Sequence, residues 1–387
     1  MRCDIFCAVI DNHGDLGVCW RLARQLADEH GVQVTLWVDD LAAFAAMAPG
    51  LDPAHDCQML GGLTIRRWQG EIDDPEPGDL VIEGFGCRPP SGFLLAMASR
   101  RQPPLWINLE YLSAEPWVED CHGMTSTHPQ YGLVQHFWFP GFTPRTGGLL
   151  RELRLDAARQ ALQADAAARV AFWSRLGVTD AAEWSRRISL FAYENPAIAD
   201  LLDTLVADAA SSLVLVPAGR ALADIARWAG RAALAPGERV TSGRLAVQVL
   251  PFLGHDDYDH LLQACDLNLV RGEDSFVRAQ WAARPMLWHI YRQDEDAHLT
   301  KLDAFISQVE TQARPAAIWA HAMRAWNGAQ GRPWAELLTA LPALTGSMAI
   351  WQRHLLGQSD LASGLMRFYA DRVESAPVQS HLGTHTR

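Results

Sequence analysis

Short apolar, β-branched runs alternate with stretches of helical spacing along most of this chain, in two separate series. The first series has strand candidates at 3–10, 32–38, 80–83 and 105–109, with helical spacing at 17–30 and 91–100. The second begins at Arg187-Ile188-Ser189-Leu190-Phe191-Ala192-Tyr193 and continues through 212–217, 245–250, 267–270 and 286–290. Helical patterns fill its gaps at 197–209, 219–229, 256–264, 275–283 and 296–309. Parallel strands need a crossover between them, usually a helix, so the alternation predicts parallel sheets covered on both faces. Two such series in 387 residues predict two sheet domains, because one core does not grow to that size.

The stretch Phe139–Gly148 is rich in proline and glycine and reads as a long loop, followed by an alanine-rich helical span, 155–175, leading to the domain junction. The expected domains are 1–175 and 185–350. From 314 onward the spacing is wholly helical, and a last helix at about 352–374 is expected to pack back on the first domain before a flexible polar tail, 376–387. Two Rossmann-like domains facing a cleft, with a helical C-terminus, describe a GT-B-like architecture with its ligand between the domains. Two unrelated α/β domains fit the same pattern.

Composition narrows the function classes. Forty-nine per cent hydrophobic residues and 20% charged ones are those of a globular protein. The balance of 33 basic against 45 acidic residues, a net charge of −12, argues against nucleic-acid binding through phosphate neutralisation. Seven scattered cysteines without a CxxC pair suit reduced thiols, and no signal peptide or membrane-spanning run is visible, so a cytoplasmic, membrane-free protein is expected. His122, His128 and His136 share one segment but no helical face or carboxylate partner, and no metal site is expected there.

Two places carry chemistry. Directly after the first apolar run comes Asp11-Asn12-His13-Gly14-Asp15-Leu16-Gly17, two carboxylates around a glycine turn at the carboxyl end of a strand. Either acid alone could merely cap the helix starting near Leu16. The second place is Cys265–Ala282, where a strand ends at Val270, Arg271-Gly272-Glu273 turns tightly, and Asp274 or Ser275 is expected to cap the next helix. The N–H groups at that helix start form a seat for a diphosphate, with Arg271 as a bidentate donor and Glu273 suited to sugar hydroxyls. A solvated, capped turn is the plain alternative. Tyr193, Tyr258 and Tyr291 all fall at strand ends or in the loops beyond, where a base can stack or a phenol reach a phosphate oxygen.

The turn around Asp11 and Asp15, the stretch Phe139-Pro140-Gly141-Phe142 with Thr146-Gly147-Gly148-Leu149-Leu150-Arg151-Glu152, and the block Arg271-Gly272-Glu273-Asp274-Ser275-Phe276-Val277-Arg278-Ala279-Gln280-Trp281-Ala282 resemble the EarP family. These are protein-arginine rhamnosyltransferases that modify bacterial translation elongation factor P. The resemblance runs from the first strand to about residue 375. It implies an inverting GT-B enzyme that uses dTDP-β-L-rhamnose and needs no metal or other cofactor. It also implies that Asp11, Asp15 and Glu273 are the essential acids. By the same resemblance Tyr193, Tyr258, Arg271, Asp274, Ser275 and Tyr291 are nucleotide-sugar contacts, and so is His255, which stands in the Pro-Phe turn where the family usually has glutamine. Asp15 is then expected as general base, with Asp11 holding the acceptor guanidinium. The acceptor protein is expected on the loops at 84–92 and 108–120.

Three other readings are weighed against this one. A GT-B transferase with a lipid or glycan acceptor would need an exposed apolar or basic face. A Rossmann oxidoreductase would need a glycine fingerprint where Asn12-His13-Gly14-Asp15-Leu16-Gly17 stands. A non-catalytic nucleotide-sugar-binding protein would have no use for three acids.

Overall fold

The computed structural model describes residues 1–9 and 14–374. The first sheet contains β1 (Arg2–Cys7), β2 (Gln33–Val38), β3 (Cys57–Leu60), β4 (Leu63–Arg67), β5 (Leu80–Gly84), β6 (Leu105–Leu109), β7 (Thr125–Thr127) and β8 (Val134–Trp138). Its spatial order is β3-β4-β2-β1-β5-β6-β8-β7, parallel except for β3 and β7 at the two edges. The second sheet contains β9 (Arg186–Leu190), β10 (Ser212–Pro217), β11 (Arg239–Ser242), β12 (Leu245–Leu250), β13 (Leu267–Arg271) and β14 (Met286–His289). Its order is β11-β12-β10-β9-β13-β14, with β11 the antiparallel edge.

Both sheets are wound the same way. From β1 the chain builds outward through β2 and β4, then returns to the other flank with β5, β6 and β8. From β9 it builds outward through β10 and β12, then returns with β13 and β14. Each sheet therefore has a point where the winding reverses, between β1 and β5 and between β9 and β13. Loops leaving neighbouring strands diverge there, and a crevice opens at the carboxyl ends.

Central strands such as β5, β10 and β12 are buried at every position, as parallel strands covered on both faces should be. The edges differ, and they were not anticipated. β3 and β11 are each exposed at every second residue, joined to their partners by the left-handed glycines Gly61, Gly62 and Gly243. The span expected as one helix, 155–175, is two helices, Leu155–Ala164 and Ala166–Arg175. Asp165 divides them by turning its carboxylate onto the Ala167 and Ala168 amides, a cap geometry that starts a new helix.

The chain crosses between the sheets twice, side by side. Helix Trp334–Leu356 packs on the second sheet's core, whereas helix Leu361–Glu374 buries Leu361, Ala362 and Leu365 in the first. The return crossing is stitched to the outgoing one. The Leu361 amide donates to the Leu149 carbonyl at 3.0 Å. Gln358 Nε2 donates to the Phe142 carbonyl at 2.7 Å, and Arg151 Nη1 donates to the Leu356 carbonyl at 3.0 Å. The tail, 376–387, lies outside the described residues. Among the described residues, no helix is long and apolar enough to cross a membrane.

Candidate functional site

The two reversal points face each other, and most of the candidate residues stand on the loops that leave them. Gly14 and Met47 of the first sheet's domain line one pocket together with Phe191, Phe252, Leu253, His255, Tyr258 and the run Arg271–Ser275 of the second.

On the first wall, Asp15 is the second residue of helix Gly14–His30 and is buried. It lies inside the helix and does not cap it. Tyr111 Oη donates to Asp15 Oδ2 at 3.3 Å, and the Tyr111 ring stacks on Phe85 with centroids 4.6 Å apart. Phe85 has φ +56°, a left-handed conformation that a bulky side chain takes only when its surroundings impose it. Asp11 lies outside the described residues.

Glu273 joins the walls. Its Oε2 accepts the Leu112 amide proton at 3.0 Å, so a loop of the first domain ends on a carboxylate of the second. Burial pushes this acid up to about 7; the negative charges of Asp15 and Asp274 push the same way, while Lys301 and the Leu112 amide pull it back. A carboxyl poised near neutrality can hold or release a proton at little cost.

On the second wall, the Arg271 guanidinium is held between two rings, 4.7 Å from the Phe191 centroid and 4.6 Å from that of Tyr193. Gly272 has φ +63°, and a Cβ there would stand 3.5 Å from Tyr193 Oη. Tyr291 meets Tyr193 edge-on at 5.8 Å and keeps half its surface in solvent. Tyr258 is buried edge-on to Phe191 at 5.6 Å. Burial, and then the charge of Arg21, holds the His255 imidazole well below its usual range, so it is neutral at physiological pH. Among the described residues, three buried nitrogens in or beside this pocket, Arg271 Nε, His255 Nδ1 and His289 Nδ1, have no hydrogen-bond partner. Buried polar atoms are rarely left so, and these three are available to a polar ligand.

The start of helix Asp274–Ala282 departs from expectation. Neither Asp274 nor Ser275 caps it. Glu273 occupies the cap position and makes no side-chain bond there. Ser275 Oγ instead donates back to the Arg271 carbonyl and accepts the Arg271 amide at 3.2 Å, which fixes the tight turn. Asp274 Oδ1 lies 2.8 Å from Arg21 Nε. The first-turn amides are thus not covered by a capping side chain, and they open toward the pocket.

Sequence reasoning missed Arg21. It reaches out of the first domain, fully buried, and binds Asp259 through both terminal nitrogens at 3.1 and 3.0 Å. Arg278 grips the same carboxylate at 3.0 and 2.6 Å and also reaches Glu152 at 2.7 Å. Glu152 is held down at about 2 by the neighbouring arginines, against its burial. A sequence signal existed only in hindsight: an arginine amid apolar residues on a helix, with no carboxylate at helical spacing to pair with.

The whole-chain comparisons agree with one another. Residues 3–370 match the family model described as Elongation-Factor P (EF-P) rhamnosyltransferase EarP. Protein-arginine rhamnosyltransferases of Pseudomonas putida and Pseudomonas aeruginosa are 49% and 48% identical, over 96% and 95% of this chain and 99% and 98% of theirs. A solved structure concerned with EarP-mediated arginine glycosylation of translation elongation factor EF-P has a TM-score of 0.68 and 37% identity, covering 96% of this chain and 99% of that one. A UDP-GlcNAc 2-epimerase of Neisseria meningitidis, 9% identical, shares the fold alone, with a TM-score of 0.51 over 96% of this chain and 100% of that one. The fold is GT-B.

Proposed function

Since the chain belongs to the EarP family of protein-arginine rhamnosyltransferases, we propose that it moves L-rhamnose from dTDP-β-L-rhamnose, with inversion, to an arginine of translation elongation factor P. The observation that carries the donor half is the pocket around Arg271. A guanidinium clamped between Phe191 and Tyr193, its Nε without a partner among the described residues, stands beside a helix start whose amides none of their side chains caps. Together they suit a diphosphate, supplying the positive charge and N–H donors that a leaving dTDP requires. Phe252 and Leu253 offer an apolar surface for the base. The Nδ1 of neutral His255, without a partner among the described residues, stands where the family usually has a glutamine amide.

The acceptor half is the first wall. A guanidinium is a poor nucleophile, because it stays protonated and its lone pairs are delocalised. In the proposed step an acceptor nitrogen attacks the anomeric carbon from the face opposite the diphosphate. The carbon–oxygen bond breaks toward dTDP, and the proton leaves the nitrogen for Asp15. Tyr111 steadies Asp15 by its 3.3 Å bond and, with Phe85, offers a flat ring surface against which a guanidinium can lie. Glu273 orients the sugar or the acceptor from the middle of the cleft. The phenol of Tyr291, half in solvent, is free to close on a phosphate oxygen. This scheme needs no metal ion, since Arg271 and the helix start take the leaving charge. Elongation factor P would dock on the loops 84–92 and 108–120, which carry Phe85 and Tyr111.

The test is direct. Protein, dTDP-rhamnose and elongation factor P are incubated, and the acceptor's mass is measured. Addition of one deoxyhexose is expected. No addition, with dTDP still raising the melting temperature, would favour a protein that only binds the nucleotide sugar.

A further inference from the structure

Asp274 is the first residue of helix Asp274–Ala282, and an acid at that place ordinarily serves its own helix. The helix dipole favours a carboxylate in the first turn, where it readily bonds the amides beside it. Here those amides belong to the diphosphate seat. The ladder of this helix begins with the Val277 amide donating to the Glu273 carbonyl at 2.9 Å, so the amides of Asp274, Ser275 and Phe276 precede it and have no partner within the helix. An Asp274 carboxylate folded over them would take the donors a phosphate needs and would repel its charge.

The structure draws that carboxylate aside. Asp274 Oδ1 lies 2.8 Å from Arg21 Nε, on a helix of the opposite domain. Among the described residues Arg21 Nε has no aligned hydrogen-bond acceptor, so the pair is one of charge and contact. Arg21 is fully buried and is aimed by Asp259, which binds both of its terminal nitrogens at 3.1 and 3.0 Å. Gly17, one turn before Arg21, lets the same helix close over the aspartate: a Cβ there would stand 3.4 Å from Asp274 Cβ and Cγ. Arg278 stands one turn on from Asp274, at the spacing of a helical ion pair, but it is spent on Asp259 at 3.0 and 2.6 Å and on Glu152 at 2.7 Å. The counter-charge for Asp274 therefore comes from across the cleft.

We propose that Arg21 is a positioning residue of the donor site, supplied by the opposite domain: it holds the Asp274 carboxylate off the first-turn amides and offsets its charge, so that a diphosphate can occupy the helix start. The inference deepens the proposed function and rests on it for the identity of the donor. Arg21 acts through Asp274 and not on the ligand. The seat is then complete only while helix Gly14–His30 lies against the second domain.

Affinities for dTDP, thymidine and inorganic pyrophosphate are measured by calorimetry in the wild type, Arg21→Met, Asp274→Asn and the double variant. Arg21→Met should weaken dTDP and pyrophosphate by about tenfold or more, and leave thymidine, which carries no phosphate, within about twofold. In the Asp274→Asn background, removing Arg21 should weaken dTDP by less than about threefold, because no carboxylate is left to be set free. Equal losses of dTDP and thymidine in Arg21→Met would overturn the proposal, since they mark a pocket spoiled by a poor domain fit. The same dTDP loss in both backgrounds would overturn it too. If Arg21→Met does not fold, Asp274→Asn against the double variant decides, and a further loss of about tenfold between them overturns the proposal. A wild type that binds pyrophosphate but not dTDP would refute the donor and leave this test standing.

Discussion

A carboxyl pushed to about 7 in the folded chain has an ordinary value of 4.5 when unfolded, so Glu273 binds its proton more tightly in the native state. Between those two values the native state holds the extra proton. The contribution of Glu273 to stability is therefore greatest below the unfolded value and is lost as pH rises through the folded one. Glu273→Gln keeps the oxygen that accepts the Leu112 amide and removes the charge. We expect it to raise stability at pH 8 by about 2–3 kcal/mol, to change little at pH 5, and to abolish transfer. Denaturant midpoints at the two pH values check this; a variant less stable at pH 8 would contradict it. Asp15→Asn should remove transfer while dTDP affinity stays nearly intact, as measured by calorimetry. Equal loss of both would refute its part as base. At this scale the sequence was legible only where a motif stood. Arg271, Glu273 and Ser275 lie in one block at a strand end, and that block announced them. Arg21 meets Asp259 across more than two hundred residues, and no local spacing encodes such a meeting.

Among the elements, the turn between β13 and helix Asp274–Ala282 carries the most conformational constraint. Gly272 takes a left-handed φ of +63°, and Ser275 locks the strand end to the first helical turn. Gly272→Ala should cost about 1 kcal/mol or more, since the new Cβ is strained there. It should also weaken dTDP binding, because relieving that strain shifts the turn that carries Arg271 and the helix start. Unaltered dTDP affinity would show that the turn's shape does not govern the pocket. The central strands were readable because full burial makes them continuous apolar runs. β3 and β11 were not, since half their residues face solvent and their alternation is short. Gly61-Gly62 between two alternating runs was a hairpin signal that the stronger parallel pattern overshadowed. Asp165 shows the reverse case, a helical composition cut by one residue whose carboxylate prefers capping to continuing.

For the whole molecule, the buried arginines join domains that each have their own core. Arg21→Met would leave Asp259 and Asp274 short of a partner where water is excluded. A loss of about 3 kcal/mol is expected, with transfer falling further than dTDP affinity because the acceptor wall loses its registration. A denaturant titration measures the first and paired assays the second; a loss below about 1 kcal/mol would mean that Arg278 alone satisfies the carboxylates. The two-domain plan was visible in the double alternation of strands and helices. How the halves face each other was not, because side chains far apart in sequence set it.

The paired crossings have a mechanical meaning. A molecule whose halves are tied by one strand can twist, slide and swing. Here the outgoing chain at Leu149 and the returning chain at Leu361 are bonded to each other, so both ties lie on one edge. Ties on one edge oppose twisting and sliding, and of the rigid motions they resist least a rotation about that edge, like covers about a spine. Such a rotation would part Arg21 from Asp259 and Asp274 and the Leu112 amide from Glu273, so those bonds decide how firmly the covers stay shut.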